Sequence, residues 1–177
     1  MSLLLSLALL LCNAWRNSHH CGASGELFVH AKSSFTDEEW KGFTSGAPPQ
    51  TNVVGVQIAD GKDNLKLFRP GKYPVVRGSA LLTGDDQAFL WTAGYVPRLD
   101  TYIGPETPNP VLVRRQRGKC SFETILRDVM GLTKINFNSC LHNDRLPVTI
   151  RFADAVGEIM LAAPQTGEPR LPFKFYI

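Results

Sequence analysis

Hydrophobic residues come in short, β-branched blocks over the first two thirds of the chain and at helical spacing over the last third. Residues 26–31 (Glu-Leu-Phe-Val-His-Ala) predict a short, well-buried strand. Within 35–43, Thr36-Asp37-Glu38-Glu39 predicts a helix N-cap followed by acidic residues at the positive end of the helix dipole. Gly46-Ala47-Pro48-Pro49 ends that helix. Residues 52–59 (Asn-Val-Val-Gly-Val-Gln-Ile-Ala) predict a second strand, closed by the turn pair Asp60-Gly61. Further strands are expected over 65–69, 75–82 and 88–92. Gly84-Asp85-Asp86 should turn 77–92 into a hairpin. Prolines and glycines crowd 94–110 and predict an ordered but irregular loop, before a strand over 110–115.

From Ser121 the period changes. Phe122, Ile125, Leu126, Val129, Met130, Leu132 and Thr133 fall on one face of a helix. A second helix is expected to begin near Leu146-Pro147, with proline suited to a first helical position, and to run to about residue 163. A polar stretch over 164–172 then closes on Phe173-Lys174-Phe175-Tyr176-Ile177. Strands first and two late helices predict an α/β layered fold whose mixed sheet is partly antiparallel. The chain shows no internal repeat.

Composition narrows this modestly. At 177 residues, 44% of them hydrophobic and 20% charged, the chain suits one domain with a core and falls outside the disordered class. A net charge of +3 is compatible with a polyanionic partner without requiring one. Arg114, Arg115, Arg117 and Lys119 make a basic run, which reads first as a solvated face. The cysteines at 12, 21, 120 and 140 show neither the spacing of a zinc site nor a disulfide framework, so reduced thiols are expected. Cys120 and Cys140 suit small buried positions, and His19-His20-Cys21 lacks a fourth ligand nearby and reads as polar linker. No glycine-rich phosphate loop and no nucleophile elbow occur. The residues alone therefore stop at a slightly basic α/β domain.

Several stretches, in order, carry a resemblance. Arg77-Gly78-Ser79-Ala80 is followed by Leu90-Trp91-Thr92-Ala93-Gly94-Tyr95-Val96-Pro97-Arg98-Leu99, then Thr101-Tyr102 and Pro108-Asn109-Pro110. Asp128 to Ser139 and Leu146 to Glu158 follow in order, and Leu171 to Ile177 closes the chain. In order and spacing these resemble the C-terminal part of the PIWI module of prokaryotic Argonautes, over roughly 26–177. The resemblance implies an RNase H-like fold. The family's nuclease site is a tetrad of three acidic residues completed by Asp or His, because two divalent metals must be held together at the scissile phosphate. Its first two acidic positions have no counterpart in this chain. The third lies at a strand end in an Arg-Asp-Gly context, which here matches Phe28-Val29-His30-Ala31-Lys32 and places Ala31 at the metal-binding position. The fourth matches Asp154. One carboxylate cannot hold two metals, so the resemblance implies a catalytically inactive member, of the short class. Asp154 then reads as a remnant, as a partner of a nearby arginine, or as a plain helix residue. Asp37, Glu38 and Glu39 read as helix-start residues rather than as substitutes.

Such proteins resemble guide-directed sensors for host defence. They hold a guide nucleic acid (RNA is expected here) by its phosphates, recognise a complementary single-stranded target (expected to be DNA), and signal to an associated effector of TIR or Sir2 type. The candidate backbone contacts are Arg98, Thr101, Lys134, Asn136, Asn138 and Arg151. Helix C-capping competes for Asn136 and Asn138, and a plain surface position competes for Arg98. The resemblance further implies that the carboxylate of Ile177 helps hold Mg2+ at the guide 5′ phosphate; a merely packed tail fits equally.

Residues 1–25 stand apart from residues 26–177. The run 3–11 is apolar but for Ser6, too short to span a bilayer, and no Lys or Arg precedes it. It reads as a weak signal peptide, a core helix cut short, or a non-native junction, and the resemblance favours the last two together with a cytoplasmic location and no membrane association. The rival readings are a small exported α/β protein with no nucleic-acid role, and an active RNase H-like nuclease.

Overall fold

The computed structural model describes residues 25–61, 65–102, 104, 106–135 and 145–162. The first apolar block forms strand β1 (Glu26–Ala31) with the predicted bounds. Thr36 then closes a capping box at the start of helix α1 (Asp37–Gly46). Its hydroxyl accepts from the Glu39 amide at 3.2 Å, and the Glu39 carboxylate accepts from the Thr36 amide at 3.0 Å. Two donors that a helix start leaves orphaned are thereby satisfied.

Helix α1 carries the chain back, so that strand β2 (Asn52–Asp60) pairs parallel to β1, from Glu26 opposite Asn52 to Ala31 opposite Gln57. A parallel pair requires such a crossover. Strands β3 (Ala80–Leu82) and β4 (Gln87–Leu90) form the expected hairpin, in shorter form. Strand β5 (Val111–Arg117) lies between β2 and β4, antiparallel to both, giving the order β1-β2-β5-β4-β3. Strands β1, β2 and β4 therefore point the same way, and their carboxyl ends meet at one end of the sheet.

The two late helices follow as predicted: α2 (Phe122–Leu132) and α3 (Val148–Ala162). The Pro147 carbonyl accepts from the amides of Ile150 at 3.0 Å and Arg151 at 3.1 Å, so proline stands just before α3, where its missing N–H costs nothing. Val54, Val56 and Ile58 of β2 join Leu90, Val111, Val113, Ile125, Val129, Leu146 and Ile150 in the main core. On the opposite face a second cluster gathers Ala31, Phe35 and Phe43, with Val29 and Trp40 packed against it. Strand β2, covered on both faces, is accordingly an almost continuous apolar run.

Two expected strands are corrected. Residues 65–69 form no strand, and 75–82 shortens to β3. Pro70 and Pro74 lack the amide hydrogens a ladder needs, and Gly78 turns to a φ of +92°. Isolated backbone bonds hold the segment instead: Tyr95 donates to Val75 and Arg77 to Tyr95, each at 2.9 Å, and Gly78 donates to Trp91 at 2.8 Å. The expected strand over 88–92 also ends early, at Leu90, while the next one extends to Arg117.

Candidate nucleic-acid interface

Polar chemistry collects at the carboxyl ends of β1, β2 and β4, the end at which open α/β sheets commonly take ligands. Alternation along β1 sends His30 and Lys32 to the side of α3, and Ala31 to the opposite side among Phe35 and Phe43. His30 Nδ1 lies 2.9 Å from the Thr149 hydroxyl. The Lys32 ammonium donates to the Asp154 carboxylate at 2.5 Å. Burial pushes the His30 imidazole down to about 4, so it is neutral near pH 7. These two links tie β1 to α3 beside Asp154, whereas Ala31, which the resemblance would set beside that carboxylate, faces the other side of the sheet. Asp154 is paired there with a lysine rather than an arginine.

The neighbouring strand ends are tied to the same region. Asp60, the last residue of β2, accepts from the Arg145 guanidinium at 2.6 Å. Thr92, just beyond β4 and fully buried, donates its hydroxyl proton to the Arg145 carbonyl at 2.6 Å. Arg77 donates to the Thr92 carbonyl at 2.7 Å and to the Thr133 hydroxyl at 3.2 Å, joining the end of α2 to the 91–95 segment. Burial of Arg77 lowers its pKa. The fully buried Trp91 anchors the base of the following loop, donating from its indole nitrogen to the Pro108 carbonyl at 3.2 Å.

Onto this frame the candidate contacts fall as follows. Arg98 is exposed on a 3-10 turn (Pro97–Leu99) in the loop beyond β4. Thr101 closes that turn, its carbonyl accepting from the Val96 amide at 2.9 Å. Lys134 is exposed just after α2, beside the Thr133 that Arg77 holds. Arg151 is exposed in the first turn of α3. Asn136, Asn138 and Ile177 lie outside the described residues, as do 1–24. The basic run of β5 is spent internally: Arg114 on Gln87, Arg115 on Asp86 and the Cys120 carbonyl, and Arg117 on Asp37 at 2.5 Å. Glu39 is thus a capping residue of the α1 start, and Asp37 in the first turn pairs with Arg117 of β5.

Sequence reading missed Lys32, His30, Thr149 and the Asp60–Arg145 pair. Only the polar letters at apolar strand ends hinted at them, since each pairing joins residues 85 or more apart in the chain.

Among the described residues no group of three or more His, Cys, Asp or Glu side chains could hold a metal ion. Asp60 and Asp154 at this end are each held by a cation. Arg98 and Lys134 are exposed cations flanking this end, of a kind suited to phosphates. No described helix is long and apolar enough to cross a membrane.

No family model and no curated protein matches the sequence. Solved structures do match. One, "Crystal structure of Aa-Ago with externally-bound siRNA", is 19% identical with a TM-score of 0.68, over 98% of this chain and 23% of that one. Aquifex aeolicus Argonaute is 18% identical with a TM-score of 0.69, over 100% of this chain and 24% of its own. Clostridium butyricum Argonaute, bound to a guide DNA and a 19-mer target DNA, is 20% identical with a TM-score of 0.65, over 96% of this chain and 22% of its own. The chain therefore shares the α/β fold of a part of these Argonautes, and spans less than a quarter of their length.

Proposed function

We propose, from the fold shared with these Argonautes, that residues 26–177 form a guide-directed nucleic-acid-binding module without nuclease activity. The observation that carries the second half is the Lys32–Asp154 ion pair. In-line hydrolysis by two metals needs several carboxylates free to coordinate. Here Ala31 is packed among phenylalanines, and the carboxylate facing β1 already holds a protein cation. The exposed cations Arg98 and Lys134 support the first half.

In this reading Arg98, Thr101, Lys134 and Arg151 hold a strand by its phosphates, with Asn136 and Asn138 contributing where the chain leaves α2. Sequence is read by pairing between guide and target, which the protein senses as backbone shape. The Ile177 carboxylate assists a Mg2+ at the guide 5′ end. The guide is RNA and the target single-stranded DNA, and the module acts in the cytoplasm with a TIR- or Sir2-type effector in host defence. The neighbour bound to guide and target DNA supports the nucleic-acid part of this reading.

The deciding experiment offers the chain a guide oligonucleotide and its complementary target, with Mg2+ or Mn2+. Salt-sensitive binding without cleavage is expected, weakened by Arg98→Ala and by Lys134→Ala. Each lost phosphate contact should flatten the logarithmic salt dependence by about 0.7. Metal-dependent cleavage abolished by Asp154→Ala would establish a nuclease instead, and absence of binding at low salt would remove the nucleic-acid role.

A further inference from the structure

Beside the Arg98 turn, a second feature has no part in the site above. Tyr73 and Tyr95 stack with ring centroids 4.5 Å apart and planes 10° apart. Arg69 stands over Tyr95, 4.8 Å from its centroid, and Lys72 over Tyr73 at 5.2 Å. The space between the rings admits no cation, so the order is Arg69, Tyr95, Tyr73, Lys72, with a positive charge at each end of the column. Both phenols are fixed on Asp100: Tyr95 donates to its carboxylate at 2.9 Å and Tyr73 to its carbonyl at 3.1 Å. Arg69 also donates to the Tyr73 carbonyl at 3.2 Å.

Asp100 ends the turn that carries Arg98, so the column and that arginine form one surface. Its apolar part is unusually open, with Phe68 75% and Leu99 59% exposed. Arg69 and Lys72 cap the column, Arg98 stands on the adjoining turn, and the Asp100 carboxylate of that turn accepts from Tyr95. A polyanion with flat apolar groups fits such a surface. A single-stranded nucleic acid is that ligand, because its unpaired bases are free to stack on an exposed ring while its phosphates meet preplaced cations.

We propose that residues 68–73 and 95–100 form a clamp for single-stranded nucleic acid, in which Arg69, Lys72 and Arg98 meet successive phosphates and Phe68 stacks on a base. This rests on the nucleic-acid reading above and adds a segment, 68–73, that the reading did not include. The column holds two of the cations before the ligand arrives, so little side-chain entropy is lost on binding.

The test uses the full chain and fluorescent single-stranded RNA and DNA oligonucleotides over a salt series. Arg69→Ala with Lys72→Ala should flatten the logarithmic salt dependence by about 1.4, the equivalent of two phosphate contacts. Phe68→Ala should weaken binding about five- to a hundredfold with the salt dependence unchanged. Melting temperatures report whether the variants stay folded. Should loss of Arg69 loosen the column, Lys72→Gln alone reads the same effect at about half size.

If the parent chain binds and these variants keep its affinity and salt dependence, the clamp falls and the proposed function stands. If the parent chain binds no oligonucleotide, the proposed function itself falls and takes the clamp with it. Displacement of the oligonucleotide by polyglutamate at equal charge would overturn the clamp in favour of an acidic protein partner.

Discussion

Charging His30 in the folded chain places an imidazolium in the packed seam between β1 and α3. The hydrogen bond to Thr149 does not resist this, because the hydroxyl oxygen accepts from a protonated ring as readily as it pairs with a neutral one. Burial does resist it, and the pKa falls from 6.5 to about 4. As pH drops, the unfolded chain therefore takes up its proton first. The stabilising contribution is fully present above the unfolded value, is lost as pH falls through the window between 6.5 and about 4, and is gone below it. At about 1.4 kcal/mol per unit the whole effect is about 3 kcal/mol, most of it lost by about pH 4.5.

The assay is urea unfolding at about pH 7.5 and about pH 4.5, on the parent chain and on His30→Gln. Glutamine stays neutral at both and can keep a bond to Thr149, so other titrating groups cancel in the comparison. The parent chain should lose about 2 to 3 kcal/mol more than the variant between the two conditions. Equal losses, or an imidazole seen by NMR to titrate near its ordinary value, would refute the buried neutral histidine and the tight β1–α3 seam on which the Lys32–Asp154 pairing rests.

Two further outcomes follow from the same frame. Gly118 turns the chain from β5 toward α2 at a φ of +80°, and a Cβ there would meet the Val53 carbonyl oxygen, so Gly118→Ala should cost about 2 kcal/mol or more in urea unfolding. The Lys32–Asp154 pair is partly exposed, so a double-mutant cycle with Lys32→Met and Asp154→Asn should give a coupling of about 0.2–1 kcal/mol that shrinks with added salt.

Local sequence determined most of the elements. Thr36 and Glu39 stand three residues apart, the reach of a capping box, so α1 is written in four adjacent letters. The β-branched block of β2 and the helical spacing from Phe122 likewise fix periodicity by themselves, because side-chain direction repeats every two or 3.6 residues. Proline spacing weakened the reading at 65–82, where apolar letters favoured strands and the missing amides prevented them.

The candidate site was legible only in part. Arg98 and Lys134 were readable as cations near loop ends, and Ala31 as a position without an oxygen. Tertiary structure decided what surrounds them: Ala31 turned toward Phe35 and Phe43, Lys32 placed on Asp154, and Arg77 joining α2 to the loop beyond β4. It also spent the basic run of β5 on Gln87, Asp86 and Asp37, and assembled the Arg69–Tyr95–Tyr73–Lys72 column from two separate segments. The physical reason is one of range. Periodicity and capping act between residues within a turn or two of each other, so a sequence displays them directly. A charge pair such as Lys32 with Asp154 depends on strand order and on which face each residue occupies, and both are set by burial of the whole core.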